Sequence, residues 1–178
     1  MRLIGFVLAG TLAAVAWSSQ EAANNKELAL IFEADQADRK LPVKEIDWQV
    51  VSKRDGRRLA RVKELYQEGQ LETGRDWFRA AVVLQHSQSP DDHLLAHEMC
   101  IAALALGEKG AASLAAATED RFLRGISRKQ RFGTQFTASG PDAPLLLAET
   151  DEGVTDQLRA VLNVPPLPAP GAEFSPEG

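Results

Sequence analysis

The chain has 178 residues, 44% of them hydrophobic, with three histidines and a formal net charge of −5. That length supports one domain with a real core, and the acidic balance excludes a generic nucleic-acid binder. The single cysteine, Cys100, excludes an intrachain disulfide, and beyond the N-terminal segment no apolar run is long enough to cross a bilayer.

Met1-Arg2 supplies a short positive start, and Leu3 to Ala16 (LIGFVLAGTLAAVA) is uncharged and largely apolar. Such a stretch falls short of the ~20 residues of a permanent membrane helix, but it has signal-peptide length. Ala14-Val15-Ala16 has the small-x-small pattern that a signal peptidase accepts, so the sequence predicts cleavage before Trp17. The expectation is a signal peptide over 1–16, a polar linker over 17–26, a helical domain over 27–164 and a disordered Pro-rich tail over 165–178. The cleaved protein is then secreted or periplasmic and keeps no stable membrane span.

Within the domain, stops and caps divide the chain into helices. Asn24 or Asn25 caps a first helix to about Lys40, with Leu28, Ile31 and Phe32 on one face and Pro42 beyond. Asp47 caps a second to about Glu68, which Gly69 terminates. Thr73 and Asp76 form a capping box for a third, to about Gln85. Ser89-Pro90-Asp91-Asp92 opens a fourth to about Leu106, with Pro at its first position and acids at the positive end of its dipole. Ala111 to about Arg124 completes an antiparallel pair with it, rich in alanines that permit close approach. Gly125 to Pro144 interleaves Gly, Ser, Thr and Pro with Phe132 and Phe136, which predicts an ordered loop carrying a short strand. A last helix is expected from about Asp151 to Leu162. Five of the nine prolines lie between Pro165 and Pro176, the composition of an extended or disordered tail. The expected fold is mainly α: a single-domain antiparallel helical bundle, an ordered loop after its fifth helix, and the Pro-rich tail.

Three polar sets carry any chemistry. His86, His93 and His97 fall within twelve residues, and His93 and His97 are four apart on one helical face. Glu98 or Asp120 could complete a zinc-like set, yet the His-Glu-x-x-His order is missing and no metal is expected. Glu119-Asp120-Arg121 is followed by Gln130 and by Gly133-Thr134-Gln135, which lacks the Gly-Lys-Ser/Thr of a phosphate loop. Asp35 and Arg39, at i and i+4, read as a surface ion pair worth a few tenths of a kcal/mol. There is no Gly-x-Ser-x-Gly elbow, no activating motif around Cys100, and no cofactor signature.

Asp35-Gln36…Arg39, Ala80-Ala81…Gln85-His86, Ala96-His97-Glu98, Asp120-Arg121 and Gln130-Arg131-Phe132-Gly133-Thr134-Gln135 together resemble an uncharacterised bacterial family of unknown function over residues 27–165. The resemblance implies no activity, cofactor or substrate. It does single out His86 and His97 over His93, and it draws attention to one polar cluster. Two readings of that cluster stay open. In one, the domain binds an unidentified ligand or protein partner, or is structural, and the polar residues form a buried network. In the other it is an extracytoplasmic hydrolase. There His86 or His97 is the general base, Asp120 orients it and Arg121 holds an anionic group, while Gln85, Gln130, Thr134 and Gln135 contact the ligand.

Overall fold

The computed structural model describes residues 23–140 and 143–173. The expected signal peptide lies outside the described residues. The chain forms α1 (Lys26–Ala37), a 3-10 turn (Val43–Glu45), α2 (Trp48–Gln67), α3 (Gly74–Leu84), α4 (Pro90–Ala105) and α5 (Ala111–Gly125). The two-residue strands β1 (Phe136–Thr137) and β2 (Leu146–Leu147) and the short helix α6 (Asp156–Val161) follow. The molecule is a mainly α single domain, and no described helix is long and apolar enough to cross a membrane.

The caps act where the sequence puts them. Asn25 accepts from the Leu28 amide, and Asp47 from the amides of Gln49 and Val50. Thr73 and Asp76 make the full reciprocal box. Gly69 ends α2 at φ +69°, a left-handed conformation that costs glycine little. Asp76 does more than cap its own helix. Its buried carboxylate also accepts from the Asn25 amide at 2.9 Å, while Asn25 Nδ2 donates to the Gln70 carbonyl. The start of α1 is thus stapled to the start of α3.

Two helix ends differ from expectation. Ser89 occupies the cap position of α4 but makes no side-chain cap bond. Ser87 Oγ accepts the Ser89 amide instead and donates to Asp92, while Pro90 sets the first helical φ unaided. The last helix starts at Asp156 rather than near Asp151, because the Asp151 amide bonds the Gln130 carbonyl and its carboxylate bonds the Gly153 amide. That turn delays the start until Thr155 can cap.

α4 packs between α3 and α5. Ala80, Ala81, Ala96, Ala103, Ala111 and Ala115 are buried along these seams, so the backbones approach closely and Leu28, Val62, Leu84 and Met99 fill the remaining core. Burial of each of these larger side chains contributes about 1.5–3 kcal/mol. α1 and α2 lie against α3 and are cross-tied by three arginines and three aspartates. Arg39 bonds Asp35 and Asp55, Arg58 bonds Asp38 and Asp55, and Arg54 bonds Asp38, at 2.6–3.1 Å.

After α5 the chain forms the expected loop, with β1 and β2 paired antiparallel. A second core of Ala116, Phe132, Val154 and Val164 lies beneath it. The Pro-rich segment departs from the disorder expected over 165–178. Through Glu173 it is placed against the domain: the Leu147 amide bonds the Ala172 carbonyl, Leu146 bridges Glu173, and the Leu167 amide bonds Asp156. Prolines keep this segment extended, but the edge of β2 supplies the hydrogen bonds that anchor it.

Candidate functional site

A cleft of about 760 Å³ opens between α1, α3, α5, the loop and the Pro-rich segment. Phe78, Val82, Leu114, Ala117, Phe136, Val164, Pro165, Pro166 and Pro168 give it an apolar lining. Gln36, Arg39, Gln85, His86, Ser113, Thr134, Asn163 and Glu173 add polar groups. Neither Gln85 nor Ser113 spends its side chain on a hydrogen bond among the described residues. Apolar walls with a few placed polar groups are the usual composition of a small-molecule site.

His86 follows the C-terminal end of α3, where the third helix turns toward α1. Its Nε2 lies 3.4 Å from Oδ2 of Asp35, inside ion-pair range yet without the alignment of a hydrogen bond. Asp35 is fully buried and also accepts from Gln36 Nε2 and Arg39 Nη1, both at 2.8 Å. The Asp35–Arg39 pair is thus no surface contact: packing of α1 on α3 sequesters the carboxylate and faces it toward His86. Nδ1 of His86 has no partner among the described residues and is available to the cleft.

The other expected site residues divide in two. Gln85 and Thr134 line the cleft beside His86, whereas His97, Asp120, Arg121, Gln130 and Gln135 do not. His97 Nδ1 bonds the Ala115 carbonyl at 2.9 Å and joins α4 to α5. Asp120, fully buried, accepts four hydrogen bonds, from the amides of Arg131, Phe132 and Thr134 and from Thr134 Oγ1, at 2.6–3.0 Å. Its acceptor capacity goes to the loop, and it touches neither His86 nor His97. Gln130 is equally committed: Nε2 donates to the Gln135 and Ala148 carbonyls, and Oε1 accepts the Gln135 amide. Gln135 Nε2 donates to Thr134 Oγ1. Of the residues that the resemblance groups, Asp120, Thr134, Gln135 and Gln130 form one hydrogen-bonded chain behind the cleft rim, while His86, His97 and Arg121 stand apart from it.

Arg159, missed in the sequence, completes that support. It is 2% exposed, and its guanidinium donates to the carbonyls of Phe132, Arg131 and Val154. Its position in a short C-terminal helix, whose Leu158 and Val161 are exposed while Arg159 is buried, gives no hint of these long-range bonds.

Arg121 has a buried Nε with no partner, and burial, then the charge of Arg124, lowers its pKa. It lies outside the cleft, so it cannot hold an anion beside His86. His93 donates Nε2–H to the Ser87 carbonyl at 2.7 Å, while its Nδ1 is buried without a partner. Burial pushes its pKa below the ordinary imidazole value, against the hydrogen bond to the Ser87 carbonyl, which favours the charged ring. The three histidines thus face different partners. Among the described residues no group of three or more His, Cys, Asp or Glu side chains could hold a metal ion. Cys100 is fully buried, and burial pushes its thiol up to about 12, which leaves it inert as a nucleophile. Comparison with protein-family models, curated proteins and solved structures gives no match, so the family resemblance rests on the quoted residues alone.

Proposed function

We propose that this is an exported helical binding domain whose cleft takes an elongated, mostly apolar ligand carrying a hydrogen-bonding group. The carrying observation is the cleft itself, apolar along α3, α5 and the Pro-rich segment, with Gln85, His86 and Thr134 among its polar groups. Arg39 is already neutralised by Asp35 and Asp55, which disfavours a strongly anionic ligand there. The signal-peptide pattern over 1–16 supports a role outside the cytosol. The neutral dye Nile red tests the cleft. Saturable fluorescence enhancement is expected with the wild type, and Ala117→Trp, which fills the cleft from α5, should abolish it without lowering the melting temperature. Equal dye binding by both proteins would sink the proposal.

The contact between His86 and Asp35 favours a second reading, a hydrolase in which His86 is the general base and Asp35, rather than Asp120, orients it. A buried carboxylate facing an imidazole in an apolar cleft is a recurrent acid–base arrangement. Hydrolysis of p-nitrophenyl esters of graded acyl length, lowered about 100-fold or more by His86→Gln in a protein that still binds Nile red, would support it. Absence of turnover across the series would leave binding as the function.

A further inference from the structure

We propose that a second, smaller hollow at the C-terminal end of α5 is an oxyanion site for a phosphate-bearing group. The hollow measures about 380 Å³, and its lining includes Arg124, Ser127, Arg128, Lys129, Thr137 and Glu149. It is separate from the cleft and independent of the function assigned there.

Charge at this end of α5 is unbalanced. Between residues 121 and 131 the chain carries Arg121, Arg124, Arg128, Lys129 and Arg131 in a protein of net charge −5. Lys129 meets Glu149 at 3.6 Å and Arg131 meets Glu119 at 3.2 Å. Arg121, Arg124 and Arg128 have no carboxylate partner among the described residues. Arg124 is close enough to Arg121 to repel it. These cations are not consumed in capping the helix either. The carbonyls of Phe122, Leu123 and Arg124 accept from the amides of Ile126, Arg128 and Ser127. Ser127, at φ +60°, reverses the chain between Arg124 and Arg128, and both line the same hollow.

Three cations against one carboxylate leave the lining at +2. The hydroxyls of Ser127 and Thr137, unpartnered among the described residues, add neutral donors. A carboxylate has too few oxygens for this many donors, whereas a doubly charged tetrahedral phosphate matches them in charge and in number. The phosphate could belong to a soluble metabolite or to a lipid headgroup, and the hollow's chemistry is the same for both.

The test titrates the folded protein with inorganic phosphate at constant ionic strength and follows backbone amide resonances. Saturable shifts confined to residues 124–129 and 137 are expected, with affinity weakened about tenfold or more in Arg124→Gln/Arg128→Gln. Lys53→Gln/Arg57→Gln, on the exposed face of α2, should leave it unchanged. Lys129→Gln serves as the second variant if the double one fails to fold. Flotation with phosphatidylglycerol vesicles, against phosphatidylcholine alone, distinguishes the sources. Flotation that the arginine variant abolishes assigns a lipid headgroup, and phosphate binding without flotation assigns a soluble ligand. Equal shifts with chloride, equal affinity in the arginine variant, or binding to neither probe would overturn the site.

Discussion

Asp120 shows how a residue with catalytic credentials can be fully spent on structure. Four donors converge on one buried carboxylate, three of them backbone amides of a single loop. Asp120→Ala leaves those amides facing an apolar gap, and desolvated donors without partners are costly. The expected loss is about 3 kcal/mol in urea denaturation, with Nile red affinity falling as the rim loosens. A change below ~0.5 kcal/mol would show the bonds to be dispensable. His93 gives a prediction of the opposite kind. Its folded-state pKa lies below the unfolded value, so it contributes no penalty above pH ~6.5 and costs stability as pH falls below that toward the folded pKa. The Ser87 and Gln85 backbones and Asp92 raise it and Arg121 lowers it, but burial is the largest influence and decides the direction. In His93→Gln the stability lost between pH 6.5 and 5 should shrink, read from melts across that range. An unchanged slope would assign the loss to other groups.

At the scale of elements, local chemistry was legible and long-range chemistry was not. Asn25, Asp47 and the Thr73–Asp76 box place helix starts correctly because a cap acts within three residues. The i,i+4 spacing of Asp35 and Arg39 concerns one helix alone and points to a surface pair, whereas the packing of α1 on α3 makes Asp35 a buried carboxylate facing His86. Asp120, Gln130, Thr134 and Gln135 do bond to one another, yet nothing in their order shows that these bonds are internal or separates them from His86, His97 and Arg121. The Pro-rich segment is the counterpart. Its composition marks it as extended, while its placement depends on the free edge of β2. Gly133 ties loop and segment together: it sits at φ +72°, and a Cβ there would lie 2.5 Å from Leu167 Cδ1. Gly133→Ala should cost about 1–3 kcal/mol and displace Leu167. Proteolysis checks this, since residues 165–173 should be cut sooner in the variant than in the wild type.

The whole molecule is a helical core with a cleft assembled on one side from segments distant in sequence. Val164 to Pro168 supply one of its walls, so the cleft is complete only once the C-terminal segment has docked. Truncation after Val164 should leave the helical content nearly unchanged, because 165–173 contain no helix. Nile red affinity should fall several-fold. Retained affinity would confine the ligand to the helical walls.

The rim at Arg131–Thr134 is gripped from two sides with opposite polarity. Asp120 takes its N–H groups, and Arg159 takes the carbonyls of Arg131 and Phe132. A strip of backbone fixed at both its positive and negative ends has no soft direction in which to swing. The facing Pro-rich wall is held by a few edge bonds and one leucine. Breathing of the cleft is therefore expected to be one-sided, by displacement of the C-terminal segment from the edge of β2. Hydrogen exchange would register that asymmetry directly: the Arg131, Phe132 and Thr134 amides would outlast that of Leu167 by orders of magnitude.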